Sequence, residues 1–341
     1  MFLEGYSIDE LIARSERNSV RRARRLRDGA RVIIKTSTTE YPTARDVRRL
    51  ELEHHLLTKL SCPGVIEVLG LERRAGRLAL VLEDFGGERL PITPGRGLPL
   101  ERFFPLARGI VRALGEVHAR GVIHKDVNPR NVLMNPVTGV VKLIDFSLSS
   151  ELSREHAAAL PCKDLEGTLA YLAPEQTGRM NRDVDQRSDY YALGVTFFEL
   201  LTGSLPFTAP DVLGYVHCHL SKQPPSAHEK NPEVPEALAR IVAKLMAKNP
   251  DERYESAGGL LHDLERCENA WKTSGEVPIF ELGAEDVSER FRVSQALVGR
   301  EAEVSALLAA FERASGGAAE LLLVSGYSGV GKSSLVRELY R

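Results

Sequence analysis

The strongest constraint on the fold is a fixed succession of short polar motifs set between apolar runs. In GVIHKDVNPRNVLMN (121–135), Asp126 precedes Asn131 on a tight loop joining a helix that ends at Gly121 to the apolar run from Val132. VVKLIDFSL ends an apolar strand on Asp145, GTLAYLAPEQ (167–176) carries Ala-Pro-Glu, DYYALG follows around Asp189, and NPDERY supplies Arg253. Each motif alone is weak. Their order is not: a loop aspartate, a loop asparagine and a strand-end aspartate are the residue types that orient a hydroxyl and hold a phosphate-bound divalent ion.

The surrounding pattern divides the 341 residues into parts. Residues 1–88 read as strands with one helix. RVIIK (31–35) and RLALVLEDF (77–85) are short β-branched or apolar runs, whereas RDVRRLELEHHLLTKL (45–60) spaces Val47, Leu50, Leu56, Leu57 and Leu60 along a helical face. Residues 89–271 are mainly helical, with FFPLARGIVRALGEVHARG closing on Gly121 and YYALGVTFFELLTG on Gly203. Residues 272–296 lack sustained periodicity and read as a linker lying along a surface. Residues 297–341 read as a helix, a strand ELLLVS (320–325), a glycine-rich turn and a second helix. The net charge of −2 gives no general field for nucleic acid or an anionic membrane. No window reaches the ~18 apolar residues of a membrane span and no signal peptide is evident, which predicts a cytoplasmic chain. The dispersed Cys62, Cys162, Cys218 and Cys267 suit apolar filling rather than a disulfide frame or a zinc site.

The ordered motifs resemble the eukaryotic-type protein kinase family over roughly residues 5–270. The resemblance implies an α+β bilobal fold, with ATP and Mg2+ between the lobes and a protein substrate whose Ser or Thr hydroxyl takes the γ-phosphate. It implies that Lys35 of VIIK holds the α- and β-phosphates, that Glu53 pairs with Lys35, and that Asp126 accepts or orients the hydroxyl proton. Asn131 and Asp145 would ligate Mg2+, with Phe146 packed beneath. Leu82 would close the adenine pocket, Glu83 and Phe85 would offer backbone groups to the base, and Glu175 would pair with Arg253. Taken alone, Lys35 reads as a solvated strand end and Glu53 as a solvated helix face.

Several positions depart from the family pattern. Alignment on VRRA (20–23) puts Ala13, Ser15 and Asn18 at the three glycine positions that cover the phosphates, ahead of Val20. These residues are small or turn-tolerant, so a nucleotide-covering turn is expected, with weaker approach of its backbone to phosphate. Eight arginines fall between Arg14 and Arg31, and read either as side-chain charge near the phosphates or as a solvated basic hairpin; the interleaved aromatics of a nucleic-acid surface are missing. Lys125 stands where an arginine often clasps a phosphorylated activation segment, and lacks the planar fork. Asn128, expected beside the nucleotide, replaces a lysine that would help neutralise the γ-phosphate, and Ser147 replaces the glycine after Phe146.

GYSGVGKSS (326–334) fits the phosphate-binding pattern G-x-x-x-x-G-K-[ST]. Gly326, Gly329 and Gly331 would let backbone N–H groups cradle phosphate, Lys332 would reach the β- and γ-phosphates, and Ser333 would ligate Mg2+ with Ser334 beside it. LVGREAEV (297–304) resembles the lead-in of STAND-type ATPases, where Gly299 and Arg300 approach nucleotide. The chain is therefore expected to be an N-terminal fragment holding the start of a P-loop AAA/STAND ATPase domain. EQTGRMNRDVDQRSDYYALGV, HKD-x-N-P and the later GRE together resemble hybrid sensors, which implies downstream ATPase, GAF and histidine kinase modules as partners. Two expectations stand side by side. Retention of Lys35, Glu53, Asp126, Asn131 and Asp145 supports an active Ser/Thr kinase; the altered hairpin and Asn128 support a catalytically impaired pseudokinase that regulates the adjoining domains.

Overall fold

The structure is a computed structural model and describes residues 3–39, 41–74, 77–151, 167–180, 182–287, 299–327 and 330–337. Its first lobe is built on β1 (Tyr6–Arg14), β2 (Asn18–Arg25), β3 (Arg31–Ser37), α1 (Ala44–Leu60), β4 (Val68–Arg74) and β5 (Arg77–Glu83). The strands form one antiparallel sheet in the order β1-β2-β3-β5-β4. Alternation along β3 sends Val32 and Ile34 to one face, where they pack with Leu3, Ala23, Ala79 and Val81, and leaves Ile33 and Lys35 on the other. α1 starts at a capping box in which Thr43 Oγ1 accepts the Asp46 N–H and Asp46 accepts the Thr43 N–H. Its buried stripe of Leu50, Leu56, Leu57 and Leu60 also contains Glu53, and a carboxylate in such a place requires a partner.

The second lobe continues through β6 (Glu88–Arg89), α2 (Leu100–Ala119), β7 (Val122–Ile123), β8 (Val132–Met134), β9 (Val141–Leu143), β10 (Ser150–Glu151), α3 (Gln186–Thr202), α4 (Val212–Ser221), α5 (Ala227–Lys230), α6 (Glu236–Leu245) and α7 (Ala257–Ser274). α3 is buried around nearly its whole circumference and forms the axis of the lobe, as its all-round apolar sequence requires. It stops at Gly203, whose φ of 69° and approach to the Arg96 N–H, 2.3 Å from where a Cβ would lie, leave room for glycine alone. The strand and helix runs quoted above from the first 271 residues all fall within or across these elements.

Two stretches lie outside these elements. The aperiodic residues after α7 dock on the lobe as far as they are described. Asp286 accepts the Glu255 N–H at 2.7 Å, the Ser256 N–H at 2.9 Å and the Ser256 hydroxyl at 2.7 Å, and Phe280 is buried beneath the Arg266 guanidinium. Gly259 admits this contact, since a Cβ there would lie 2.4 Å from the Asp286 carboxylate. Residues 320–325, expected as a strand, make no ladder among the described residues, and Leu321 and Leu323 are each 87% exposed. A strand exists only through a hydrogen-bonded neighbour, and none is supplied by the described residues. On either side lie α8 (Glu301–Ser315) and α9 (Lys332–Arg337). Among the described residues Cys62, Cys218 and Cys267 are free thiols, and no helix is long and apolar enough to cross a membrane. Cys162 lies outside the described residues.

Candidate active site

β3 and α1 bring Lys35 and Glu53 together. Lys35 Nζ donates to the two Glu53 oxygens at 2.9 and 2.8 Å and to Asp145 Oδ1 at 2.8 Å. The Lys35 and Glu53 side chains are 6% and 1% exposed, whereas Asp145 keeps 35%. One ammonium thus serves two carboxylates. Burial opposes the charge on Lys35, but Glu53 and Asp145 outweigh it and hold the ammonium above its usual range. Burial also pushes against ionisation of Asp145, and contact with Lys35 overrides it to hold this carboxyl below its usual range. Glu53 goes the other way: burial pushes it up to about 7, against the pull of Lys35 and with added repulsion from Asp145. The shared cation therefore favours the ionised form of the more exposed carboxylate. Asp145 adopts φ 63°, and Phe146 is fully buried with its ring centroid 4.6 Å from that of His124.

The loop after β7 is pinned from several sides. Asp126 Oδ2 accepts from Asn131 Nδ2 at 2.8 Å, Oδ1 accepts the Thr168 N–H at 3.0 Å, and its carbonyl accepts from Asn128 Nδ2 at 2.9 Å and Asn131 Nδ2 at 2.8 Å. Burial pushes the Asp126 carboxyl above its ordinary value, opposed by His124 and the Thr168 N–H. His124 Nδ1 accepts the Asp126 N–H at 3.3 Å while Nε2 lies 3.0 Å from the Ile144 carbonyl, which places the ring proton on Nε2. The Ile144 N–H in turn donates to the Asn131 carbonyl at 3.0 Å, joining this loop to the strand that ends on Asp145.

Asp189 of α3, to which the motif pattern assigns no role, clamps this loop. Fully buried, it accepts the His124 N–H at 2.8 Å, the Lys125 N–H at 2.7 Å and a hydrogen bond from His118 Nε2 at 2.8 Å. Burial pushes Asp189 up, and the bonds from His118 and His124 more than offset this to hold it below its usual range. Lys125 has φ 66°, a conformation costing roughly 1–2 kcal/mol for a residue with a Cβ, and the two charge-assisted backbone bonds to Asp189 stabilise it. The Lys125 side chain lines a cavity of about 580 Å³ with Arg45, Arg48 and Arg49 of α1, so a group of cations stands where the planar fork is missing.

The hairpin above the cleft closes on itself. Ala13 and Arg14 pair with Val20 and Ser19, Val20 pairs with Lys35, and Asn18 pairs with Ser37, so Ala13 and Asn18 are ladder residues and only Ser15 lies in the turn. The Ser15 N–H donates to the Asn18 carbonyl at 2.8 Å, and Ser15 Oγ accepts the Asn18 N–H at 2.9 Å and the Arg17 N–H at 3.3 Å. At the end of β5, beyond Leu82, the Glu83 N–H donates to Glu67 at 3.0 Å and the Phe85 carbonyl accepts from Asn135 at 2.6 Å. One backbone group of each of these two residues is therefore engaged within the protein. Asn128, expected beside the nucleotide, is buried and turned into its own loop. Its Nδ2 donates to Asp126 and to Thr168 Oγ1 at 3.3 Å, and its Oδ1 accepts the Arg130 N–H at 3.0 Å as the cap of a short helical turn.

Behind the loop, Glu175 and Arg253 form a fully buried two-pronged pair at 2.7 and 2.9 Å. The guanidinium also donates to the carbonyls of Ala247, Arg187 and Lys248, and Ser188 donates to Glu175 at 2.7 Å. Nearer the C-terminus, Lys332 Nζ donates to the Gly326 and Tyr327 carbonyls at 2.8 and 2.7 Å, curling into the glycine-rich turn, where Gly331 has φ 91°. Arg300 Nη2 comes within 3.4 Å of the Val330 carbonyl, and Gly299 before it has φ 75°. Gly329 and the side chains of Ser333 and Ser334 lie outside the described residues.

Residues 6–264 match the family described as protein kinase domain, and residues 296–341 that described as AAA ATPase domain. The chain is 35% identical over 229 residues to the DNA damage-responsive serine/threonine-protein kinase RqkA of Deinococcus radiodurans, covering 65% of this chain and 34% of that one. It is 30% identical over 284 residues to the serine/threonine-protein kinase pkn3 of Myxococcus xanthus, covering 80% and 52%. It is 42% identical over 191 residues to the hybrid signal transduction histidine kinase G of Dictyostelium discoideum, covering 50% and 6%. The matches thus span about half or less of the length of these relatives.

Proposed function

The chain belongs to the protein kinase family, and on that premise we propose that it transfers the γ-phosphate of ATP to serine or threonine hydroxyls of protein substrates. The observation that carries this reading is the meeting of two clusters in one cleft: Lys35, Glu53 and Asp145 on one side, and the Asp126–Asn131 loop on the other. Lys35, already oriented by Glu53, would hold the α- and β-phosphates. Mg2+ would supply charge neutralisation at the phosphoryl oxygens, and Asp145 and Asn131 would hold it. The donor set fits that ion, because Mg2+ takes one or two protein oxygens and completes its shell with phosphate and water. Asp145, ionised and partly exposed, offers such an oxygen. Asp126 would orient the acceptor hydroxyl and receive its proton, and burial tunes its carboxyl toward that task.

The chain is further proposed to be part of a larger cytoplasmic signalling protein in which the kinase domain precedes a P-loop ATPase and GAF and histidine kinase modules. The match over 296–341 and the likeness to the Dictyostelium hybrid kinase support this. A second reading, a nucleotide-binding regulator without transfer, is favoured by the turn N–H groups directed to Ser15 and by the inward amide of Asn128. The test is labelling of Ser/Thr and Tyr peptides by γ-labelled ATP with Mg2+, for the parent and Asp126→Ala. Label on Ser/Thr peptides that disappears in the variant is expected. Equal labelling in both chains refutes the transfer reading.

A further inference from the structure

A loop that holds phosphate through backbone amides must leave those amides free. Here the N–H groups of Ser15, Arg17 and Asn18 are all engaged within the hairpin, and the Asn128 amide is spent inside its own loop. Lys35 is already divided between two carboxylates. The charge of a triphosphate therefore needs another donor. Most hairpin arginines are committed elsewhere: Arg22 pairs with Glu10 and Asp84, Arg24 with Asp9, and Arg25 and Arg27 with Asp28. Arg14 and Arg21 line a cavity with Ile34 and Thr36, on the sheet face away from Lys35. Arg17 differs. It sits at the tip of the turn, exposed, and its guanidinium makes no hydrogen bond or ion pair with a described residue. With Ser15, Asn18, Glu53, Asp145 and Ser147 it lines a cavity of about 180 Å³.

We propose that Arg17 is a phosphate ligand of this cleft, its guanidinium binding the terminal phosphate oxygens of ATP in place of the amides of a glycine loop. The proposal rests on the kinase reading of the cleft. A guanidinium suits the task because its planar N–H fork matches two phosphate oxygens and it stays charged at any working pH. Asp46 and Arg49 also line the cavity. Asp46 is occupied as the capping partner of Thr43, with its carboxyl held below its usual range first by the Thr43 hydroxyl.

The experiment is calorimetric binding of Mg-ATP and of adenosine to the full chain. Every variant carries Lys332→Ala, so that the second phosphate loop is silenced. Arg17→Ala is expected to weaken ATP by ~10- to 100-fold, the loss of a hydrogen-bonded charge contact, and to leave adenosine within about twofold. Arg17→Lys should recover part of the loss, and Arg14→Ala should leave ATP affinity at the parent value. ATP affinity unchanged in Arg17→Ala overturns the proposal, as does an equal loss in Arg14→Ala, which would mark a diffuse charge effect. A parent that binds neither ATP nor adenosine refutes the kinase reading itself, whereas a parent that binds ATP while Arg17→Ala binds it equally refutes only the role of Arg17.

Discussion

The Glu175–Arg253 pair gives the sharpest energetic prediction. Arg253→Ala removes two charge-assisted bonds to Glu175, and leaves that fully buried carboxylate with Ser188 alone. It also strips a donor from the carbonyls of Ala247, Arg187 and Lys248, and the cation from the Tyr191 ring, 4.9 Å away. Breaking a buried pair from one side costs about 3–5 kcal/mol, mostly through the charge left behind. Against a domain stability of roughly 5–15 kcal/mol this is a large fraction. The double variant Glu175→Gln/Arg253→Ala leaves no buried charge at this pair and should lose less than the sum of Glu175→Gln and Arg253→Ala made singly, by about 1–3 kcal/mol of coupling. Urea unfolding of the parent, both single variants and the double variant measures this cycle. An Arg253→Ala cost below about 1 kcal/mol, or strict additivity, would refute the claim that this pair is a dry, mutually dependent unit.

Three further outcomes follow from other contacts. Asp189→Asn keeps the shape but offers one acceptor oxygen to three donors, so the chain should lose about 1–3 kcal/mol in urea unfolding and transfer phosphate more slowly. Asp286→Ala frees the strap from Glu255 and Ser256, and limited proteolysis should cut between residues 276 and 287 faster while α7 stays intact. Burial, aided by Arg253, lowers the Lys248 ammonium from 10.5 to about 8. Between those values the unfolded chain binds more protons than the folded one, so stability should rise with pH across that window, and Lys248→Met should flatten the rise in pH-dependent melting.

Much of the site is legible in the sequence because its chemistry sits on regular elements. The strand and helix that carry Lys35 and Glu53 follow from alternation and helical spacing, whereas the burial of these two residues and of Glu175 and Arg253 follows only from the order of the motifs, since each charge read alone suits a solvated surface. What was missed depends on backbone groups, which a sequence does not display. Asp286 looks like any linker acid until the N–H groups of residues 255 and 256 that it accepts are in place. Asn128 looks like a substitute for a cation, yet its short side chain is captured by Asp126, Thr168 and Arg130 before it could reach a phosphate. Residues 320–325 have the composition of a buried strand and remain exposed, since a ladder is a property of two segments.

The central claim, that this cleft moves a phosphoryl group without a glycine loop and with asparagine rather than lysine at position 128, is tested most directly by a single turnover. The chain, in excess over γ-labelled ATP and with Mg2+ and a Ser/Thr acceptor peptide, is quenched at intervals, beside Asp126→Ala and Asp145→Asn. The account predicts label moving to the peptide in the parent and slowing by at least ~10²-fold in both variants. Label that stays on ATP in the parent, or moves at one rate in all three, would contradict it.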